Sequence, residues 1–146
     1  MKVVSFNSNT VQKLNKENYN KYFYLMYRIL YKANVSASDI RILDCDTRLL
    51  VDDSNLIGFY TGEVVGDMYN IHHFYIKECY RKYKIICDLI MDFNNRSKEL
   101  GCQFILLHIR SNTGEKRFFM EFYGNKIVSQ YVSNIEGIEM YKVEVL

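Results

Sequence analysis

The sequence predicts a mixed α/β fold, a mixed central sheet of about six to seven strands with helices on both faces, and three features carry that expectation. Residues 47–51, 56–64 and 68–76 are rich in β-branched and aromatic side chains, and the turn-forming stretches Asp52-Asp53-Ser54-Asn55 and Gly66-Asp67 separate them. Residues 84–100 place Ile86, Leu89, Ile90, Phe93 and Leu100 at helical spacing, the apolar stripe of a helix lying on a sheet. Residues 104–109 form a nearly continuous apolar run, as a strand covered on both faces requires.

Read in order, residues 2–6 form a short strand. Residues 9–32 carry Val11, Leu14, Tyr22, Leu25, Met26, Ile29 and Leu30, which suits one or two amphipathic helices divided near 15–20. The three strands that follow are joined by turns and should make an antiparallel meander. Gly101 ends the long helix. Because that helix lies between 68–76 and 104–109, those strands should pair in parallel through a right-handed crossover. A short helix at about 114–123 and strands at 126–132 and 138–145 complete the chain.

Length and composition narrow the function. A chain of 146 residues, 49% hydrophobic and 25% charged, can bury a core as one domain over 1–146, and no linker or repeat divides it. A formal charge of +2 is too small to favour nucleic acid or an anionic membrane as partner. The first 30 residues lack the apolar core of a signal peptide, and no segment approaches the length of a membrane-spanning helix, so a cytoplasmic protein is expected. Cys45, Cys79, Cys87 and Cys102 have neither CxxC pairing nor a His at ligand spacing, so they read as reduced, packed thiols and no metal site is expected.

Three segments bear more specific information. Ile71-His72-His73-Phe74-Tyr75-Ile76-Lys77-Glu78-Cys79-Tyr80-Arg81 reads as a strand running into a loop, Glu99-Leu100-Gly101-Cys102 as a helix end, and Gly124-Asn125-Lys126-Ile127-Val128 as the entry to a strand. In that order, and without a gap from Ile71 to Val128, they resemble the GNAT superfamily of N-acetyltransferases. There the fourth strand leads to a Gln or Arg that opens the acetyl-CoA loop. The resemblance spans residues 56–145, and the first 50 fit the expected layout.

The resemblance implies acetyl-CoA, or another acyl-CoA, as co-substrate. In the family the loop reads Gln/Arg, two residues, Gly, one residue, Gly/Ala, so that N–H groups at a helix start meet the pyrophosphate. The corresponding positions here are Arg81, Lys82, Tyr83, Lys84, Ile85 and Ile86. Arg81 is retained, whereas Lys84 and Ile86 replace the small residues; the ammonium groups of Lys82 and Lys84 offer another way to hold phosphate. The alternative is a solvated basic turn. The family's fourth and fifth strands splay apart, which would leave the backbone of Phe74, Tyr75 and Ile76 to pair with the pantetheine arm. Thr113, with Asn112 beside it, takes the place of the family's usual Asn, making Asn112 a further candidate cofactor contact.

For catalysis, alternation puts Asn70, His72, Phe74 and Ile76 on one face and His73 on the other. His72 is the candidate base, with a packed or surface imidazole as its alternative role; Glu63 and Asp67 near the hairpin are further candidate bases, with a solvated turn as theirs. The family's usual Tyr, which protonates the departing thiolate, aligns with Met120, and a thioether has no proton to give. Tyr123, one helical turn further along, is the candidate acid, with packing as its alternative role. The expected function is transfer of an acetyl group to a primary amine of a small molecule or peptide, by a monomer or homodimer. The rival readings are a GNAT-fold binding or regulatory protein without catalysis and, disfavoured by charge, nucleic-acid binding through Lys77, Arg81, Lys82 and Lys84.

Overall fold

The computed structural model describes residues 1–6, 16–111 and 113–146, without the side chains of Lys16 and Glu17. Val11, Leu14 and Asn112 therefore lie outside the described residues. The elements are β1 (Lys2–Ser5), α1 (Lys16–Lys32), β2 (Asp46–Asp52), β3 (Asn55–Val65), β4 (Met68–Ile76), α2 (Tyr83–Glu99), β5 (Phe104–Arg110), α3 (Gly114–Tyr123), β6 (Ile127–Tyr131) and β7 (Ile138–Glu144). Hydrogen bonding orders seven strands as β1-β2-β3-β4-β5-β7-β6. This is the mixed, helix-flanked sheet that the periodicity predicts. The differences are local: one-turn 3-10 helices at Ala37–Asp39, Glu78–Tyr80 and Gly124–Lys126, the last delaying β6 to Ile127.

The residues fall into two compact units, Met1–Gly62 with His73–Ile90, and Glu63–His72 with Met91–Leu146. In the first unit β1, β2 and β3 are antiparallel neighbours; Val4 faces Leu49, and Leu49 faces Phe59. Helical spacing brings Tyr22, Met26 and Leu30 of α1 onto that rung, where they form one core with Val4, Leu49, Val51 and Phe59. The Tyr22 hydroxyl donates to the carbonyl of Ser54 at 3.2 Å, tying the helix to the turn between β2 and β3. That turn carries Asp53 at φ 52°, a left-handed conformation that Asp tolerates better than most residues.

In the second unit β5 is buried at Ile105, Leu106, Leu107 and Ile109, hence on both faces, as its continuous apolar sequence predicts. It pairs antiparallel with β7 from Phe104 opposite Glu144 to Arg110 opposite Ile138. Its parallel ladder with β4 joins Met68 to Phe104, Tyr69 to Ile105 and Asn70 to Leu106. Gly101, at φ 76°, ends α2 where the sequence places the stop.

A close approach in the first unit explains one glycine. The Lys77 N–H donates to the Ile57 carbonyl at 2.8 Å, which draws the end of β4 against β3. A Cβ built on Gly58 would lie 2.6 Å from the Tyr75 carbonyl oxygen and 3.2 Å from Ile76 Cγ1. The first neighbour is backbone, so a methyl group forces the strands apart. Gly58→Ala is expected to lower unfolding free energy by about 1–3 kcal/mol, measured by urea denaturation. An unchanged midpoint would show that the end of β4 is not held at this spacing.

Candidate functional site

Beyond Ile76 the chain leaves β4 through the turn Glu78–Tyr80, in which Tyr80 N–H meets the Lys77 carbonyl at 2.8 Å, and reaches α2 at Tyr83. Arg81 controls this passage. Its Nε donates to the Ile76 carbonyl at 2.7 Å, and its guanidinium carbon lies 5.7 Å from the centroid of the Tyr75 ring. The side chain expected to meet a phosphate is thus also the brace between the strand end and the loop. The ring of Tyr75 in turn packs beside Phe59 at 5.8 Å between centroids.

The bond from Ile86 N–H to the Lys82 carbonyl, 3.0 Å, closes the first turn of α2. The N–H groups of Lys84 and Ile85 precede it and point out of the helix's N-terminal end, where the partial positive charge of the helix concentrates. The Lys84 side chain does not fold over them. It is 87% exposed and runs along the helix to Asp88, with Nζ 3.2 Å from Oδ2. Lys82 and Tyr83 are also exposed, and Ile85 and Ile86 are half-buried. The Cys87 thiol, one turn on, holds the Tyr83 phenol above its ordinary range through a side-chain hydrogen bond.

A second cluster belongs to the other unit. His72 Nε2 is 2.9 Å from Glu63 Oε2 on β3, so Glu63, which the sequence leaves near a solvated turn, reaches the imidazole. The His72 ring stacks beside His108 of β5 at 6.3 Å between centroids and 18° between planes. His108 Nε2 is 2.8 Å from Asn70 Oδ1. Strand register explains the grouping: Asn70 pairs with Leu106, so even-numbered residues of β4 and β5 share one face. Met140 lies opposite His108 on that face, whereas the neighbouring Glu139 faces α3 and lies 3.1 Å from Lys116 Nζ. The imidazoles therefore occupy the face of these strands turned away from α3. His73 points the other way from His72, and its Nε2 accepts the Arg41 N–H at 3.3 Å.

Tyr123 sits in the core of the second unit. It is 2% exposed and its hydroxyl accepts the Asn94 Nδ2–H at 2.8 Å. Asn94 Oδ1 accepts the Leu146 N–H at 3.2 Å, so the two residues join α2, α3 and the chain end. Burial pushes the phenol far above its ordinary value, although the bond from Asn94 partly opposes this. Phe74, Tyr75 and Ile76 lie in the last part of β4, past the parallel ladder at Met68–Asn70.

Three positions of this neighbourhood were not singled out by the sequence. Gly58 carried no motif, and His108 and Asn70 become neighbours of His72 only through a parallel register that the sequence does not encode locally. Glu63 was recognisable as a carboxylate near the strand but not as a partner of the ring.

Comparisons with known proteins bear on the fold. No protein-family model matches the sequence, and no curated protein matches it. Solved structures do. An aminoglycoside 6'-acetyltransferase type Ii superposes with a TM-score of 0.69 at 16% identity, covering 100% of this chain and 98% of that one. Ard1 from Thermoplasma volcanium gives 0.67 at 18% identity, covering 94% and 97%. A GNAT family acetyltransferase from Elizabethkingia anophelis with acetyl-CoA bound gives 0.66 at 14% identity, covering 98% and 97%. The chain has the GNAT acetyltransferase fold, over almost its whole length.

His108 gives this cluster a pH signature. Burial, and secondarily charge on His72, hold its imidazole below the ordinary value of 6.5. The folded state thus binds that proton less readily than the unfolded chain, and stability present above 6.5 is lost as the pH falls through the folded value. The urea midpoint of the wild type should fall between about pH 7.5 and 5, and His108→Gln should flatten the decline. Equal declines would contradict the assignment.

Proposed function

We propose that the protein is an N-acyltransferase that moves an acetyl group from acetyl-CoA directly to a primary amine. The observation that carries this reading is the end of β4, braced by Arg81, beside the outward N–H groups of α2's first turn within a GNAT fold. The cofactor's pyrophosphate would lie on the Lys84 and Ile85 amides, with Lys82 and Lys84 supplying charge around it. Its pantetheine arm would run as an added strand along the backbone of Phe74–Ile76. Asn112 remains a proposed contact beside Thr113.

The chemistry asks for a base, because an ammonium group has no lone pair with which to attack. His72 takes that role. It lies two residues before Phe74 in the same strand, and its side chain is 20% exposed, so the ring is shielded but reachable. Removing one proton from the ammonium leaves an amine that adds to the thioester carbonyl. Collapse of the adduct breaks the C–S bond, and the nitrogen's second proton ends on the departing thiolate. Tyr123 is bonded to Asn94 in the core of the second unit, and its hydroxyl acts as acid only if α3 shifts to expose it. That buried hydroxyl favours a second reading, a GNAT-fold binding module without turnover.

Acetyl-CoA at about 100 times its Kd should stabilise the protein by about 2.7 kcal/mol, raising Tm by roughly 5–10 °C. Release of coenzyme A thiol with an amine panel should accompany it, and His72→Ala should cut kcat at least about 10²-fold. Binding without thiol release selects the second reading. Absence of both removes acyl-CoA chemistry altogether.

A further inference from the structure

The contact between Glu63 and His72 is within hydrogen-bond distance and only partly exposed. Nε2 stands 2.9 Å from Oε2, with the imidazole 20% and the carboxylate 36% exposed. A carboxylate only accepts hydrogen bonds, so the proton in this contact belongs to Nε2. In a neutral imidazole that leaves the lone pair on Nδ1. Glu63 is on β3 just before the Gly66-Asp67 turn and His72 just after it on β4, so a tight hairpin fixes both backbones.

We infer that Glu63 is a positioning residue: it locks His72 as the Nε2–H tautomer and thereby makes Nδ1 the atom that takes the proton from the acceptor's ammonium group. The inference rests on the acetyl-transfer reading for its catalytic consequence, but not for the tautomer. In the step itself an N–H bond of the ammonium breaks, an N–H bond forms at Nδ1, and the ring becomes an imidazolium beside the Glu63 carboxylate. Nothing else need be supplied. The arrangement follows the logic by which a buried acid orients a catalytic histidine in hydrolytic triads.

The neighbour on the other side supports this. His108 stacks on His72 without competing for Glu63, because its own Nε2 is committed to Asn70 Oδ1 at 2.8 Å. An amide oxygen accepts, so His108 likewise carries its proton on Nε2. Burial keeps the His108 ring neutral, so it adds no like charge when His72 becomes positive. Asn70, which looks like an ordinary strand residue, holds that neighbour in place.

The test is a long-range ¹H–¹⁵N correlation spectrum of the imidazoles at about pH 8, above the ordinary histidine range. The chain has only three histidines, so every ring can be assigned. In the wild type His72 should show a protonated Nε2 and a bare Nδ1. Glu63→Gln, whose amide also donates, should raise the Nδ1–H fraction, and Glu63→Asp should restore the original pattern in part. Turnover should follow, with kcat of Glu63→Gln reduced about 10²-fold and KM for acetyl-CoA unchanged. A wild-type ring protonated on Nδ1, or a tautomer ratio that Glu63→Gln leaves alone, overturns the inference, as does a loss confined to KM for acetyl-CoA. Should the wild type show the tautomer effect but no turnover with any amine, Glu63 keeps its hold on His72 and the acetyl-transfer reading is what fails.

Discussion

The bond from Arg81 Nε to the Ile76 carbonyl is the constraint on which the candidate cofactor site depends. A strand that ends and a helix that begins several residues later can adopt many relative positions, and loop entropy favours none of them. Here a charged donor meets the last carbonyl of β4, and such charge-assisted bonds are stronger than neutral ones. On the opposite edge Gly58 lets β3 close to hydrogen-bonding distance, with Lys77 N–H on the Ile57 carbonyl. The strand end is thus fixed from both sides before any ligand arrives. Preorganisation of this kind reduces the ordering cost of binding.

The loop that follows has no glycines, and the proposed phosphate site must be compatible with their absence. Glycine serves in such loops chiefly by letting a phosphate approach the backbone. The Lys84 side chain turns along the helix toward Asp88 and so does not cover the first-turn amides. An exposed pair at this spacing is weak, worth a few tenths of a kcal/mol. A phosphate dianion could therefore compete with Asp88 for the ammonium at little expense.

Much of the fold was legible in the sequence because its periodicities are strong. The apolar run at 104–109 announced a doubly covered strand, Gly101 marked the end of α2, and turn residues divided the meander. The site was legible only in part. Alternation placed His72 on one strand face with Asn70 and Phe74, but its pairing with Glu63 depends on how the hairpin closes, and its stacking on His108 on a parallel register set by tertiary contacts. Arg81 was recognisable as a motif residue, whereas its bond to Ile76 needed coordinates. Tyr123 shows the reverse case: its type suggested chemistry, and burial with Asn94 defines its surroundings as core.

The most direct measurement of the central claim is a ¹H–¹⁵N amide titration with coenzyme A. The largest shifts should fall on the Phe74–Ile76 and Lys84–Ile86 amides, and Arg81→Ala should weaken binding and broaden those same signals. Binding that shifts amides elsewhere while leaving these two segments unmoved would contradict the account.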